Sequence, residues 1–122
     1  MGFLTDKRIL ITGLLSNRSI AYGIAKAMQR EGAELAFTYQ AEGIRKRVEK
    51  LAAEFGSNFL FSCDVANDNE ITQSFNDLRK YWDGLDSIVH SIAFAPREAL
   101  SGDYLEGLNR ETFRIAHDIS SY

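Results

Sequence analysis

The chain of 122 residues carries 14 Lys plus Arg against 17 Asp plus Glu, a formal net charge of −3, with 45% hydrophobic and 25% charged residues. That length suffices for one compact domain and not for two, and the balance is that of a globular rather than a disordered protein. The mild acidity speaks against a nucleic-acid binder, which needs a basic excess to neutralise phosphates, and the single cysteine, Cys63, cannot staple a secreted scaffold.

Strand and helix signals then alternate along the chain. Lys7 to Thr12 is a β-branched apolar run, the first expected strand. Ser19 to Glu31 carries Ile20, Ile24, Ala27 and Met28 at helical spacing and stops at Gly32. Leu35 to Tyr39 reads as a strand. Glu42 to Phe55 places Ile44, Val48, Leu51, Ala52 and Phe55 on one face of a helix that stops at Gly56. Phe59 to Ser62 is the third strand. Asp68 opens a helix with Ile71, Phe75, Leu78 and Trp82 as its buried stripe and Gly84 as its stop. Asp86 to Ile92 is the fourth strand, followed by a loop with the sole proline, Pro96; Asn109 caps a last helix carrying Phe113, Ala116 and Ser120 on one side.

Helices of this length between strands imply parallel pairing through right-handed crossovers, hence an α/β, Rossmann-like doubly wound parallel sheet. The runs ILIT, LAFTY and NFLF are continuously apolar, as strands covered on both faces should be. No stop signal closes the last helix before Tyr122, and a four-stranded half-sheet would leave an apolar strand at its edge. The expectation is that residues 1–122 are the N-terminal dinucleotide-binding part of one Rossmann-type domain in a longer protein.

Ligands of such sheets bind beyond the carboxyl ends of the strands. After the first strand comes Gly13-Leu14-Leu15-Ser16-Asn17-Arg18-Ser19, which is not G-x-G-x-x-G. It keeps the required chemistry: Gly13 lets the backbone approach a pyrophosphate, Ser19 and the amides of the helix start can donate to it, and Gly23 would let helix and strand pack closely. An ordinary strand-helix loop with a capping Ser is the alternative. Gln40 ends the second strand, where a polar side chain can hold the adenosine ribose or be an ordinary strand-end residue; Arg45, Lys46 and Arg47 lie further on, on a solvated helix face, so the spacing favours NADH over NADPH.

Asp64 can accept from an adenine amino group, with Val65 offering backbone contacts, or can be a turn aspartate. Cys63 reads as a small buried hydrophobe. His90, in a strand, and His117, in a helix, read as structural residues without metal-ligand spacing, so no metal site is expected. Phe94-Ala95-Pro96 can wall an apolar substrate pocket or be a surface loop with an apolar anchor. A phosphoacceptor receiver fails for want of paired acids after the first strand, and a P-loop nucleotidase for want of Gly-Lys-Ser/Thr.

The stretches RILITG, RSIAYGIAKAMQREGAELAFTYQ, CDVAND, DSIVHSIAFAPREALSGDYLE and FRIAHDISSY occur in order and cover nearly the whole chain. In them the sequence resembles the short-chain dehydrogenase/reductase superfamily, and more narrowly the NADH-dependent enoyl-acyl-carrier-protein reductases of bacterial fatty-acid synthesis. Classical members of the superfamily have an Asn-Asn-Ala-Gly tract where Ser91-Ile92-Ala93-Phe94 stands here, and similar reductases often have Gly at position 93.

The resemblance implies that Gly13, Ser19, Ile20, Gln40, Asp64, Val65 and Ile92 hold NADH and that Ala95 touches the enoyl-acyl-carrier-protein substrate. It also implies a homotetramer for the full-length protein. The family's catalytic tyrosines and the lysine of its Tyr-x6-Lys motif fall beyond Tyr122, so no catalytic residue is expected here. No apolar run approaches the roughly 18 residues that span a bilayer, so a cytoplasmic protein without membrane or nucleic-acid partners is expected. A non-catalytic NAD(H)-binding sensor is the second reading.

Overall fold

The computed structural model describes residues 2–122. In chain order the elements are β1 (Arg8–Ile11), α1 (Ile20–Arg30), β2 (Glu34–Tyr39), a 3-10 turn (Glu42–Ile44) leading into α2 (Arg45–Glu54), β3 (Leu60–Ser62), α3 (Asp68–Arg79), β4 (Ser87–Val89), two short helices α4 (Arg97–Leu100) and α5 (Tyr104–Gly107), and α6 (Arg110–Ser120). The described residues fall into two compact units, one ending at Ser91 and the other spanning Ile92–Tyr122.

The first unit is a parallel four-stranded sheet in the order β3-β2-β1-β4. Ile9 and Ile11 of β1 stand beside Leu35 and Phe37 of β2, and Leu10 stands beside Ile88 of β4. The period of two sends these residues to opposite faces. On one face Ile9, Ile11, Leu35, Phe37 and Tyr39 pack with Ala21 and Ala25 of α1 and Val48, Leu51 and Ala52 of α2. On the other, Leu10 and Ala36 meet Leu78 of α3 and Trp82. Two cores on one sheet are the doubly wound arrangement expected. Burying a side chain such as Phe37 completely is worth about 1.5–3 kcal/mol.

Local chemistry explains the helix boundaries. At the end of α1 the Ala33 N–H donates to the Met28 carbonyl and Gly32 N–H to that of Gln29, a Schellman closure whose left-handed residue is Gly32 at φ 96°. Ser57 and Gly56 end α2 with the same pair of bonds, to Ala52 and Ala53. Asn67 caps α3, accepting from Asn69 and Glu70.

Several expectations need correction. The α1 stripe is rotated: Ala21 and Ala25 are buried while Ile20 is 76% exposed. Crowding explains this, since the small side chains let α1 lie close to β1 and β2. Helix α3 ends at Arg79 and does not reach Gly84, and Phe75 is exposed. Ser74 takes the inward position because its hydroxyl can donate to the Ser62 carbonyl at 3.0 Å. Strand β4 is only three residues long, with Ile88 exposed at the sheet edge and His90 outside it and exposed. At the other edge β3 is half-buried throughout, which is why NFLF looked more interior than it is.

In the second unit Asn109 and Thr112 form the capping box of α6, and α6 stops at Ser120 with Ser121 as its cap. Phe113 is exposed and stacks on exposed His117, their centroids 5.8 Å apart, so the aromatic end of the expected inward stripe faces out.

Candidate functional site

The chain leaves β1 toward β2 and β3, then returns to place β4 on the other side of β1. The topological switch point therefore lies at the carboxyl ends of β1 and β4, where doubly wound sheets bind ligands. Thr12 ties this point together. Its N–H donates to the Val89 carbonyl at 3.1 Å and its hydroxyl to the same carbonyl at 2.8 Å, while Ser91 N–H donates to Thr12 Oγ1 at 3.1 Å. Thr12, the last residue of the expected first strand, is not among the expected site residues. A hydroxyl immediately before the turn glycine was the available signal.

Gly13 follows at φ 78°, a left-handed backbone that L side chains resist. The turn then buries Leu14 in the α1/α2 core and exposes Leu15. Ser19 occupies the N-cap of α1 yet makes no side-chain cap; its hydroxyl donates to the Ser16 carbonyl at 2.7 Å. The anticipated donation from Ser19 outward would require that hydroxyl to rotate. The first turn of α1 holds no acidic residue, so its amides and dipole present positive potential to an anion. Gly23 does not serve close packing as expected, because a Cβ there meets nothing within 4 Å.

Gln40 is exposed directly after β2. Arg45 is exposed, as expected of a solvated helix face, and its guanidinium also donates to the Tyr39 hydroxyl at 2.9 Å. Burial, with the hydrogen bond to Glu42, pushes the Tyr39 phenol above its usual pKa, and the Arg45 charge opposes this.

Asp64 and Val65 are half-buried after β3. Asp64 Oδ1 accepts from Ala66 N–H at 3.0 Å, and Asp64 N–H donates to Glu70 at 3.1 Å. Asp64 is thus a turn aspartate, one of whose carboxylate oxygens serves the turn. Glu70, which sequence reasoning missed, positions its backbone. Burial pushes the Cys63 thiol up, against a lowering hydrogen bond from Ser74. The structure thus places Gly13, Ser19, Ile20, Gln40, Asp64 and Val65 at the carboxyl ends of β1, β2 and β3.

Ile92 and Ala95 belong to the second unit, both half-buried. There Ser120 of α6 clasps the loop: Phe94 N–H donates to its hydroxyl at 3.0 Å, and that hydroxyl lies 3.2 Å from the Phe94 carbonyl. Among the described residues no three His, Cys, Asp or Glu side chains are grouped to hold a metal. A groove lined by Asp6, Arg8, Glu34, Asp83 and Asp86 opens at the amino ends of the strands, away from the switch point.

A 3-2-1-4 parallel sheet whose first strand passes through a glycine turn into a helix start without a side-chain cap defines a Rossmann-like α/β protein. The sequence pattern of the enoyl-(acyl carrier protein) reductase family matches residues 13–122, and the chain belongs to that family. Over all 122 residues it is 62% identical to the enoyl-[acyl-carrier-protein] reductase [NADH] FabI of Neisseria meningitidis serogroup B and 58% identical to that of Escherichia coli K12. The chain spans 47% of the length of each of these curated relatives.

Among solved structures, enoyl-[acyl-carrier-protein] reductase (NADH) from Aquifex aeolicus VF5 superposes with a TM-score of 0.92 at 50% identity, covering 97% of this chain and 50% of that one. The reductase of Anaplasma phagocytophilum, solved in complex with NAD, gives 0.90 at 35% identity, covering 98% and 45%.

Proposed function

We propose that this chain is the dinucleotide-binding N-terminal part of an NADH-dependent enoyl-acyl-carrier-protein reductase. The observation that carries the reading is the turn from Gly13 to Ser19, which delivers a helix start free of acidic side chains to the switch point of a 3-2-1-4 sheet. The family match over residues 13–122 supports the substrate class.

The residues fit a dinucleotide. The amides at the start of α1, beside Gly13 and Ser19, bind the pyrophosphate; Gln40 holds the ribose hydroxyls; Asp64 accepts from the adenine amino group, with Val65 beside it. Ile20 and Ile92 supply apolar contact, and Ala95 touches the acyl chain. When bound, the nicotinamide supplies a hydride for the β-carbon of a trans-2-enoyl thioester. No residue of this chain takes a catalytic proton or enolate role in this reading. The full protein is read as a cytoplasmic homotetramer; among the described residues no helix is long and apolar enough to cross a membrane.

The test is NADH consumption with a trans-2-enoyl thioester. The full protein that carries this chain is expected to consume one NADH per thioester reduced, and the 122-residue chain alone none. A full protein that binds NADH without consuming it would move the reading to a sensor; turnover by the isolated chain would refute the division of labour.

A further inference from the structure

Three cations, Arg45, Lys46 and Arg47, open α2, and its first turn holds no carboxylate. The helix starts shortly after Gln40, the ribose-facing position in the function proposed above, on which this inference rests. A positive helix start with a guanidinium close to the ribose is the feature that suits a 2′-phosphate. Yet the Arg45 guanidinium is committed elsewhere. Its Nε donates to Glu49 at 2.8 Å, one terminal nitrogen donates to the Tyr39 hydroxyl at 2.9 Å, and the same nitrogen lies 3.8 Å from Glu42. The Tyr39 hydroxyl donates in turn to Glu42 at 2.9 Å, and the guanidinium carbon sits 6.0 Å from the Tyr39 ring centroid. Tyr39 is 1% exposed, so the post that holds the cluster is fixed in the core while the charges stand at the surface.

We propose that Glu42 and Glu49 are specificity-determining positioning residues that hold Arg45 away from the adenosine ribose and so exclude NADPH in favour of NADH. Two carboxylates around one guanidinium leave that three-residue cluster with one net negative charge. A 2′-phosphate meets that charge and competes with Glu42 and Glu49 for the Nε and terminal nitrogen of Arg45 that they engage. A 2′-hydroxyl needs neither change, so the clamp acts on the phosphorylated dinucleotide alone. Of the three cations at the start of α2, the folded cluster engages Arg45, one of the two that carry a bidentate fork.

The test measures dissociation constants of NADH and NADPH by fluorescence titration with the full protein that carries this chain, and reads their ratio. Glu42→Gln combined with Glu49→Gln is expected to shift the ratio toward NADPH by about tenfold at low salt, with the shift shrinking as salt rises. Adding Arg45→Gln to that pair is expected to abolish the gain, and Glu42→Asp alone to keep the wild-type ratio. Each single Gln variant retains one ion pair and replaces the double variant if that one fails to fold, with a shift of about threefold.

An unchanged ratio in folded variants overturns the clamp, and so does a gain that survives Arg45→Gln. A wild type that binds NADH while either of these occurs leaves the cofactor reading standing. A wild type that binds neither dinucleotide removes both.

Discussion

Thr12→Val tests the junction on which the proposed site is built. Valine keeps the volume and β-branching of threonine, so strand preference and packing stay nearly constant and only the hydroxyl is lost. With it go the 2.8 Å bond to the Val89 carbonyl and the 3.1 Å acceptor of Ser91 N–H. The Val89 carbonyl keeps its bond from Thr12 N–H, so the greater damage falls on the Ser91 amide. Two lost bonds at about 1 kcal/mol each set the scale, and stranding an amide adds up to about 3 kcal/mol if water is excluded. Thr12 and Ser91 are half-buried, so water recovers most of the amide penalty, and the net cost is expected near 2 kcal/mol.

In urea unfolding with a slope of about 1.5 kcal/mol/M, that lowers the midpoint by a little over 1 M, roughly. Thr12→Ser retains the hydroxyl and is expected to cost less than about 1 kcal/mol, the loss of one methyl. Equal midpoints for the two variants, or a smaller loss in Thr12→Val, would refute the hydrogen-bonded junction.

Gly13→Ala places a Cβ on a backbone at φ 78° and should destabilise by about 1–2 kcal/mol in the same assay, while weakening NADH binding in calorimetry; unchanged binding would remove Gly13 from the pyrophosphate site. The hydrogen bond from Arg8 holds the Asp83 carboxyl below its usual value. A depressed carboxylate stabilises the fold above about pH 4 and loses that contribution as pH falls through its folded value, so the urea midpoint should fall more steeply in acid for wild type than for Asp83→Asn, and less so in high salt. Cys63, buried and with its thiol pushed up, is expected to react with a disulfide reagent on the order of 10²-fold slower in the native protein than in urea, and equal rates would contradict its burial.

The sequence by itself determined the alternation of strands and helices, the α2 stripe of Val48, Leu51, Ala52 and Phe55, and the ends at Gly32, Gly56 and Asn109. Each is a local signal: a repeat at the period of its own element, or a cap made by residues a few positions apart. Most of the candidate binding positions were legible for the same reason, since they follow strand ends that can be read in order.

Which face a helix turns inward was not local. Ala21 and Ala25 displaced Ile20 from the core, and Ser74 displaced Phe75, because the close approach of the sheet and a carbonyl at Ser62 favour small or hydrogen-bonding side chains there. Only the tertiary structure set β4 beside β1 and so brought Thr12 to Val89 and Ser91, residues 77 and 79 positions away. It alone set the exposed Arg45 guanidinium beside the Tyr39 hydroxyl. Strand order and ion-pair partners follow from which surfaces meet, and a one-dimensional pattern records the surfaces without recording the meeting.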